Sequence, residues 1–344
     1  MKGLFELAYL LGYKFDRRRK SAKAGRLPEG AVISVGNLTT GGTGKTPLVI
    51  MLAGRLTEEG LRVAVLTRGY KGALPGPALI TPGMSAADAG DEPLLMAEKL
   101  PGVPVIKGKD RYAAGLYALA LDPPPAVFIL DDGFQHWRLK RDIDILILTA
   151  GGGRQEGDPF YLDKLLPVGG LREPLSEIGR AGIVVAGMGP LAGMARQVPP
   201  DFERAVRRYN THAPMFPAWY ETKWLTECES GKKYPPSRLR GREVFAFAGI
   251  GRPDSFRQSL LEAGASIRGF WKFRDHHMFT AAEMDSIRKA ARGLWIITTE
   301  KDIMRLEGGR AGLYALSVEM HAPEGFFAEV LKKTADRTGK TEGP

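Results

Sequence analysis

The sequence predicts an α/β protein, a parallel sheet flanked by helices and followed by a second, smaller α/β domain, on three observations. Near-continuous apolar runs of strand length alternate with helical stretches, as in sheets covered on both faces. A glycine-rich loop joins the first of these runs to a helix, and the alternation breaks after about Pro214 before resuming near Val244. With 344 residues, 44% of them apolar, the chain is long enough for two ordinary cores.

The elements follow in order. Residues of about 3–16 form an amphipathic helix with Leu4, Leu7, Ala8, Leu11 and Phe15 on one face and Lys2, Glu6, Tyr9, Tyr13 and Arg17 on the other. Arg17, Arg18, Arg19 and Lys20 follow, so the segment suits either an anionic membrane surface or core packing with a solvated basic end. A secretory signal would carry its charge before the apolar stretch and a small-residue cleavage site after it. Ala31 to Val35 reads as a buried strand. A helix starts near Thr46, with Leu48, Val49, Leu52 and Leu56 at helical spacing. Arg62 to Thr67, Ala126 to Leu130 and Ile143 to Leu148 are further strands, completing an N-terminal domain of residues 1–213. Residues 214–240 read as an extended, two-stranded connection. Strands at Val244 to Ala248 and Leu294 to Thr298, and a helix from Pro253 to Ala263, belong to a C-terminal domain of residues 241–331. Residues 332–344 read as a frayed tail.

A net charge of +10 fits either nucleic acid or an anionic surface with phosphorylated ligands. The densest basic cluster adjoins an apolar helical face rather than interleaved aromatics, which argues against a nucleic-acid partner. The single cysteine, Cys228, excludes an intramolecular disulfide and a Cys-rich zinc site. No apolar run reaches the roughly 20 residues that span a bilayer.

The chemistry starts at Gly36-Asn-Leu-Thr-Thr-Gly-Gly-Thr-Gly-Lys45-Thr46, which nearly matches a P-loop. Backbone N–H groups of Thr40, Gly41, Gly42, Thr43 and Gly44 would wrap the phosphates at the positive end of the following helix. Lys45 would reach the β- and γ-phosphates, and the Thr46 hydroxyl would bind Mg²⁺. The first glycine of the pattern is replaced by Thr39. The predicted fold class is therefore P-loop NTPase-like, and a nucleoside triphosphate is the expected ligand. Asp131 and Asp132 end the strand that should carry the metal-holding carboxylate, although either also suits a turn cap. Gly90-Asp91-Glu92-Pro93 places two carboxylates at a helix start, where capping alone would account for them. Arg68 and Tyr70 follow a strand end, where open α/β sheets keep ligand-binding residues, and Arg172 and Glu173 lie on a Gly/Pro-rich loop. Asp275-His276-His277 and Thr299-Glu300-Lys301-Asp302 follow strand-like segments of the second domain.

Taken together and in this order, GGTGKT, RGY, GDEP, DDGFQH, LREP, the Asp-His pair and TEKD closely resemble the tetraacyldisaccharide 4'-kinase, or lipid A 4'-kinase, family over nearly the whole chain. The resemblance implies transfer of the γ-phosphate of ATP to the 4'-hydroxyl of a tetraacylated glucosamine disaccharide 1-phosphate. It further implies a peripheral or monotopic enzyme, expected as a monomer, at the cytoplasmic face of the inner membrane. By position, Lys45 would neutralise the transferring phosphoryl group, and Thr46, Asp131 or Asp132, and Glu173 would organise Mg²⁺. Asp91 would act as base, with His276, or its neighbour His277, reaching across from the second domain to orient it. His136 would lie near the phosphates, and Arg68, Tyr70 and Arg172 would meet the acceptor. Domain closure would bring Asp91 and His276 together. A membrane-bound ATPase switch of the partitioning type is the rival reading, and it would need neither Asp91 nor His276.

Overall fold

The computed structural model describes residues 2–70, 72–150, 164–190, 196–307 and 309–338. In chain order the elements are α1 (Lys2–Ser21), β1 (Ala31–Gly36), α2 (Lys45–Glu58), β2 (Val63–Thr67), β3 (Ala78–Ile80), α3 (Ala86–Ala89), α4 (Asp91–Lys99), β4 (Val105–Lys107), α5 (Arg111–Leu119), β5 (Val127–Asp131), β6 (Ile143–Thr149) and β7 (Ile183–Pro190). There follow α6 (Pro200–Arg207), β8 (Met215–Glu227), β9 (Lys233–Tyr234), β10 (Glu243–Ala248), α7 (Pro253–Glu262), β11 (Ser266–Lys272), α8 (Ala281–Ala291), β12 (Trp295–Thr299), α9 (Glu300–Ile303), β13 (Leu313–His321) and α10 (Glu324–Thr338).

The strands form one sheet in the order β11-β10-β12-β13-β8-β7-β6-β1-β5-β2-β4-β3, with β9 paired to β8. β1 lies between β5 and β6, parallel to both, and every residue of β1 and β5 is buried. That double coverage explains their unbroken apolar sequences. α2 lays Leu48, Val49, Leu52, Ala53 and Leu56 on one face of this region. α5 covers the other face through Ala114 and Ala118.

The segment expected as a connection between domains is a strand of the sheet. Met215 to Ala218 of β8 pair in parallel with β7, and Trp219 to Glu227 pair antiparallel with β13. The two halves are thus joined edge to edge through backbone hydrogen bonds. The second half has its own cores, one around Phe256, Leu260 and Ile297 and one around Phe247, Phe279 and Ile287.

Both chain ends differ in extent from the sequence expectation. α1 runs to Ser21, beyond the expected residue 16. Of residues 332–344, read as frayed, 332–338 are the last turns of α10, where Thr334 is buried and donates to Val330 O at 2.9 Å, and 339–344 lie outside the described residues. α10 returns to the first half, adding Phe326, Phe327 and Val330 to the core under α2.

α1 docks with its polar face inward. Tyr9 donates to the Arg172 carbonyl at 2.9 Å, Glu6 accepts from the Leu165 N–H at 3.1 Å, and Arg17 pairs with Glu177 while lying over the Trp137 ring. Its opposite face leaves Phe5, Leu7, Leu11 and Phe15 exposed by 58%, 52%, 59% and 71%. Among the described residues no helix is long and apolar enough to cross a membrane.

Candidate active site

A large cleft of about 1510 Å³ runs along the strand ends of both halves, and α1 contributes Tyr9, Gly12, Tyr13, Asp16 and Lys20 to its wall. The glycine-rich loop forms its floor. Gly44 adopts a left-handed conformation (φ 92°) and leads directly into α2, as a tight phosphate-cradling turn requires. Asn37, fully buried between β1 and the loop, donates to the hydroxyls of Thr39 at 3.1 Å and Thr43 at 2.8 Å. Thr39, the departure from the usual glycine, is therefore part of a side-chain clasp across the loop. It also pairs with Leu171, and Arg172 N–H bonds the Leu38 carbonyl at 2.7 Å. The LREP segment thus runs beside the start of the loop, which carries Arg172 into the cleft.

There Arg172 contacts both carboxylate oxygens of Asp132 (3.0 and 2.9 Å), and Lys45 lies 3.6 Å from the same group. Burial opposes the Asp132 charge, but Lys45 and Arg172 outweigh it and hold the carboxyl below its usual range. Asp131 behaves oppositely. It is buried at the end of β5, accepts from Thr67 at 3.2 Å, and keeps Oδ1 without a hydrogen-bond partner. Burial, with the Glu92 and Asp132 charges, raises its pKa. Thr46, Asp131, Asp132 and His136 all line the cleft. Burial and nearby Arg111, Arg141 and Arg138 bring His136 down to about 3, so it is neutral at physiological pH.

Glu173 does not line the cleft with Thr46, Asp131 and Asp132. Its fully buried carboxylate accepts from Arg180 through Oε2 alone (2.8 and 3.1 Å), the turn at Leu175–Arg180 folding the arginine back onto it, while Oε1 has no hydrogen-bond partner; burial pushes the group up to about 7. Among the described residues no three His, Cys, Asp or Glu side chains gather as a self-sufficient metal site.

Asp91 and His276 do meet. Asp91 opens α4 and is only 6% exposed; its Oδ1 accepts from the Glu92 N–H at 3.0 Å, and its Oδ2 lies 2.9 Å from His276 Nδ1. Lys301 and Arg305, also from the second half, stand 3.9 and 3.5 Å from Oδ2. Burial opposes the charge, but the His276 bond together with Lys301 and Arg305 overcomes it and holds Asp91 down to about 2. His276 is the partner that lines the cleft, in a left-handed conformation (φ 59°) with the Tyr70 ring edge-on at 5.5 Å. His277 turns away, stacking on Phe273 and pairing with Glu283 at 3.0 Å. Arg68 and Tyr70 line the same cleft.

Sequence reasoning missed the Gly249 to Arg252 loop. Gly251 packs so closely on the P-loop that a Cβ there would lie 3.0 Å from Gly42 N, and Arg252 donates to Thr149 at 2.9 Å. Two glycines flanking Ile250 after a strand were the available signal. Asn37 gave only a faint one, a polar residue at the end of an apolar run.

A P-loop set into a parallel sheet, with paired carboxylates and the Asp91-bound His276 lining one cleft, defines a P-loop phosphotransferase. Residues 3–335 match the family model described as tetraacyldisaccharide-1-P 4'-kinase. The chain belongs to that family and is a kinase. It is 41% identical over 322 residues to the tetraacyldisaccharide 4'-kinase of Syntrophus aciditrophicus, covering 88% of this chain and 83% of that one. The Geobacter sulfurreducens protein of the same name is 41% identical over 305 residues, covering 84% and 79%. The crystal structure of LpxK from Aquifex aeolicus in complex with ATP superimposes with a TM-score of 0.72 at 33% identity, covering 96% of this chain and 97% of that one.

The depressed Asp91 pKa carries a stability consequence. A carboxyl whose folded value lies near 2, against an ordinary value of 3.8, favours folding fully above the higher value, and that contribution is lost as pH falls toward the lower. Asp91→Asn is expected to lose on the order of 2 kcal/mol at pH 7 in urea unfolding, a deficit that narrows below about pH 4. A deficit unchanged between pH 7 and pH 3 would contradict the assignment.

Proposed function

We propose that this kinase transfers the γ-phosphate of ATP to the 4'-hydroxyl of a tetraacylated glucosamine disaccharide 1-phosphate, working peripherally at the cytoplasmic face of the inner membrane as a monomer. The observation that carries the reading is the Asp91–His276 pair, 2.9 Å apart, whose His276 lines the same cleft as the P-loop. An ATPase switch has no use for such a pair. ATP is the phosphoryl donor by likeness to the Aquifex aeolicus protein, whose structure contains it.

The P-loop N–H groups and Lys45 would hold the triphosphate and draw charge from the transferring group. Asp131, with an unpartnered buried oxygen, fits a hard cation, and Thr46 and Asp132 lie in the same cleft. These residues would hold Mg²⁺, which when bound neutralises charge on the phosphate oxygens. The sugar oxygen attacks the γ-phosphorus, the bond to ADP breaks, and the hydroxyl proton passes to the dyad. Asp91 is buried and held near 2, too weakly basic to draw that proton well, whereas His276 lines the cleft. In this reading His276 Nε2 receives the proton and Asp91 keeps Nδ1 protonated, which exchanges the roles expected from the resemblance. Positioning and charge stabilisation still dominate, since the transition state is loose. The two partners are already in contact and the halves share one sheet, so the dyad needs no domain closure to form.

The membrane reading rests on α1. Its apolar ridge of Phe5, Leu7, Leu11 and Phe15 faces away from the body while the opposite face lines the cleft. Acyl chains resting beside that ridge would leave the sugar head at the dyad, and Arg18, Arg19 and Lys20 would meet anionic headgroups.

Incubation with ATP, Mg²⁺ and the acylated disaccharide 1-phosphate should add one phosphate by mass, and Lys45→Ala should lower kcat by at least about a hundredfold. Brisk ATP turnover with no modified lipid would favour the ATPase switch. Replacing both Leu7 and Leu11 with Asp should release the protein from anionic vesicles in flotation while nucleotide affinity stays unchanged; retention on the vesicles would remove α1 as the anchor.

A further inference from the structure

Asp302 and Arg305 touch none of the reacting atoms described above, yet they form a heavily bonded buried pair behind Asp91. Arg305 is 1% exposed and Asp302 is fully buried. Their side chains meet at 2.7 Å. Asp302 accepts from the Gly249 N–H at 3.2 Å through both oxygens, and Arg305 donates to the Gly249 carbonyl at 3.0 Å. Both backbone polar groups of one glycine are thereby fixed by one ion pair.

Gly249 stands at a junction. Its carbonyl also accepts the His276 N–H at 3.2 Å, and two residues later Gly251 rests on Gly42 of the P-loop. The guanidinium Nε lies 3.5 Å from the Asp91 carboxylate. Capping of α9 explains why Thr299 accepts from the Asp302 N–H, but it does not call for the carboxylate to reach Gly249 or for a buried arginine behind it. Stability alone is a weak reason to bury such a pair, because apolar residues of similar volume commonly serve as well.

We propose that the Asp302–Arg305 pair is the positioning element of the transfer site. It fixes Gly249, and through Gly249 both the His276 backbone and the loop that abuts the P-loop, while its guanidinium steadies Asp91. The proposal rests on the dyad reading given above. Arg305 is a positioning residue, acting through Asp91 and His276 rather than on the substrate.

The test compares Arg305→Lys and the paired change Asp302→Leu with Arg305→Met, each alone and combined with Asp91→Ala, in steady-state assays with ATP and the acylated disaccharide 1-phosphate. Arg305→Lys keeps the charge but loses the planar fork, and the paired change leaves no lone buried charge. Each should lower kcat at least about tenfold with KM for ATP within about threefold, and neither should add more than about twofold to the loss in Asp91→Ala. A folded paired variant with wild-type kcat would overturn the proposal. So would losses that multiply in full with that of Asp91→Ala, although the dyad would then stand. Wild-type kcat in Asp91→Ala alone would instead remove the dyad reading. Failure of both variants to fold, read by thermal melting, would assign the pair a purely structural role.

Discussion

One buried negative charge organises this molecule. Asp91 belongs to the first half, but the groups that compensate it, His276, Lys301 and Arg305, all come from the second. A carboxylate withdrawn from water in this way is costly without partners. The arrangement is therefore stable only with the halves juxtaposed, and β8 supplies that juxtaposition by pairing with β7 along its first residues and with β13 along the rest. Lys99 adds a peripheral link by reaching Glu300 at 2.5 Å. The glycine-rich loop and His276 then line one cleft rather than standing on separate bodies.

Electrostatics within that cleft divide the acids by task. Asp132, flanked by Lys45 and Arg172, stays charged, whereas burial and the Glu92 and Asp132 charges raise Asp131 against the opposing pull of Lys45 and Arg111. Glu173 sits apart from these two, because Arg180 holds its Oε2 and it does not line the cleft.

Much of this was legible in the chain, and the reasons for the rest are physical. β1, β2, β5 and β6 announce themselves because burial on both faces demands unbroken apolar runs, and the P-loop because its glycines and Lys45 have few other uses. β8 hid its role because a strand shared by two differently oriented neighbours mixes aromatic and polar residues like a linker. Asp91 and His276 are 185 residues apart, so only the motif order, not local pattern, pointed to their meeting. The Asn37 clasp, the Arg172–Asp132 bond and the Asp302–Arg305 pair depend on side chains that converge only after the sheet is built. For α1 the sequence showed two faces without saying which turned inward. Tyr9, Glu6 and Arg17 bind the body, leaving the leucines outside.

His276 held through Nδ1 by an ionised Asp91 is the arrangement on which the proposed chemistry turns. ¹⁵N NMR of the histidine-labelled protein reads it directly. The expected spectrum shows a His276 ring protonated at Nδ1 and unprotonated at Nε2 in its neutral form, with the Nδ1 signal shifting when Asp91 is changed to Asn. A ring protonated at Nε2, or a spectrum indifferent to that substitution, would contradict it.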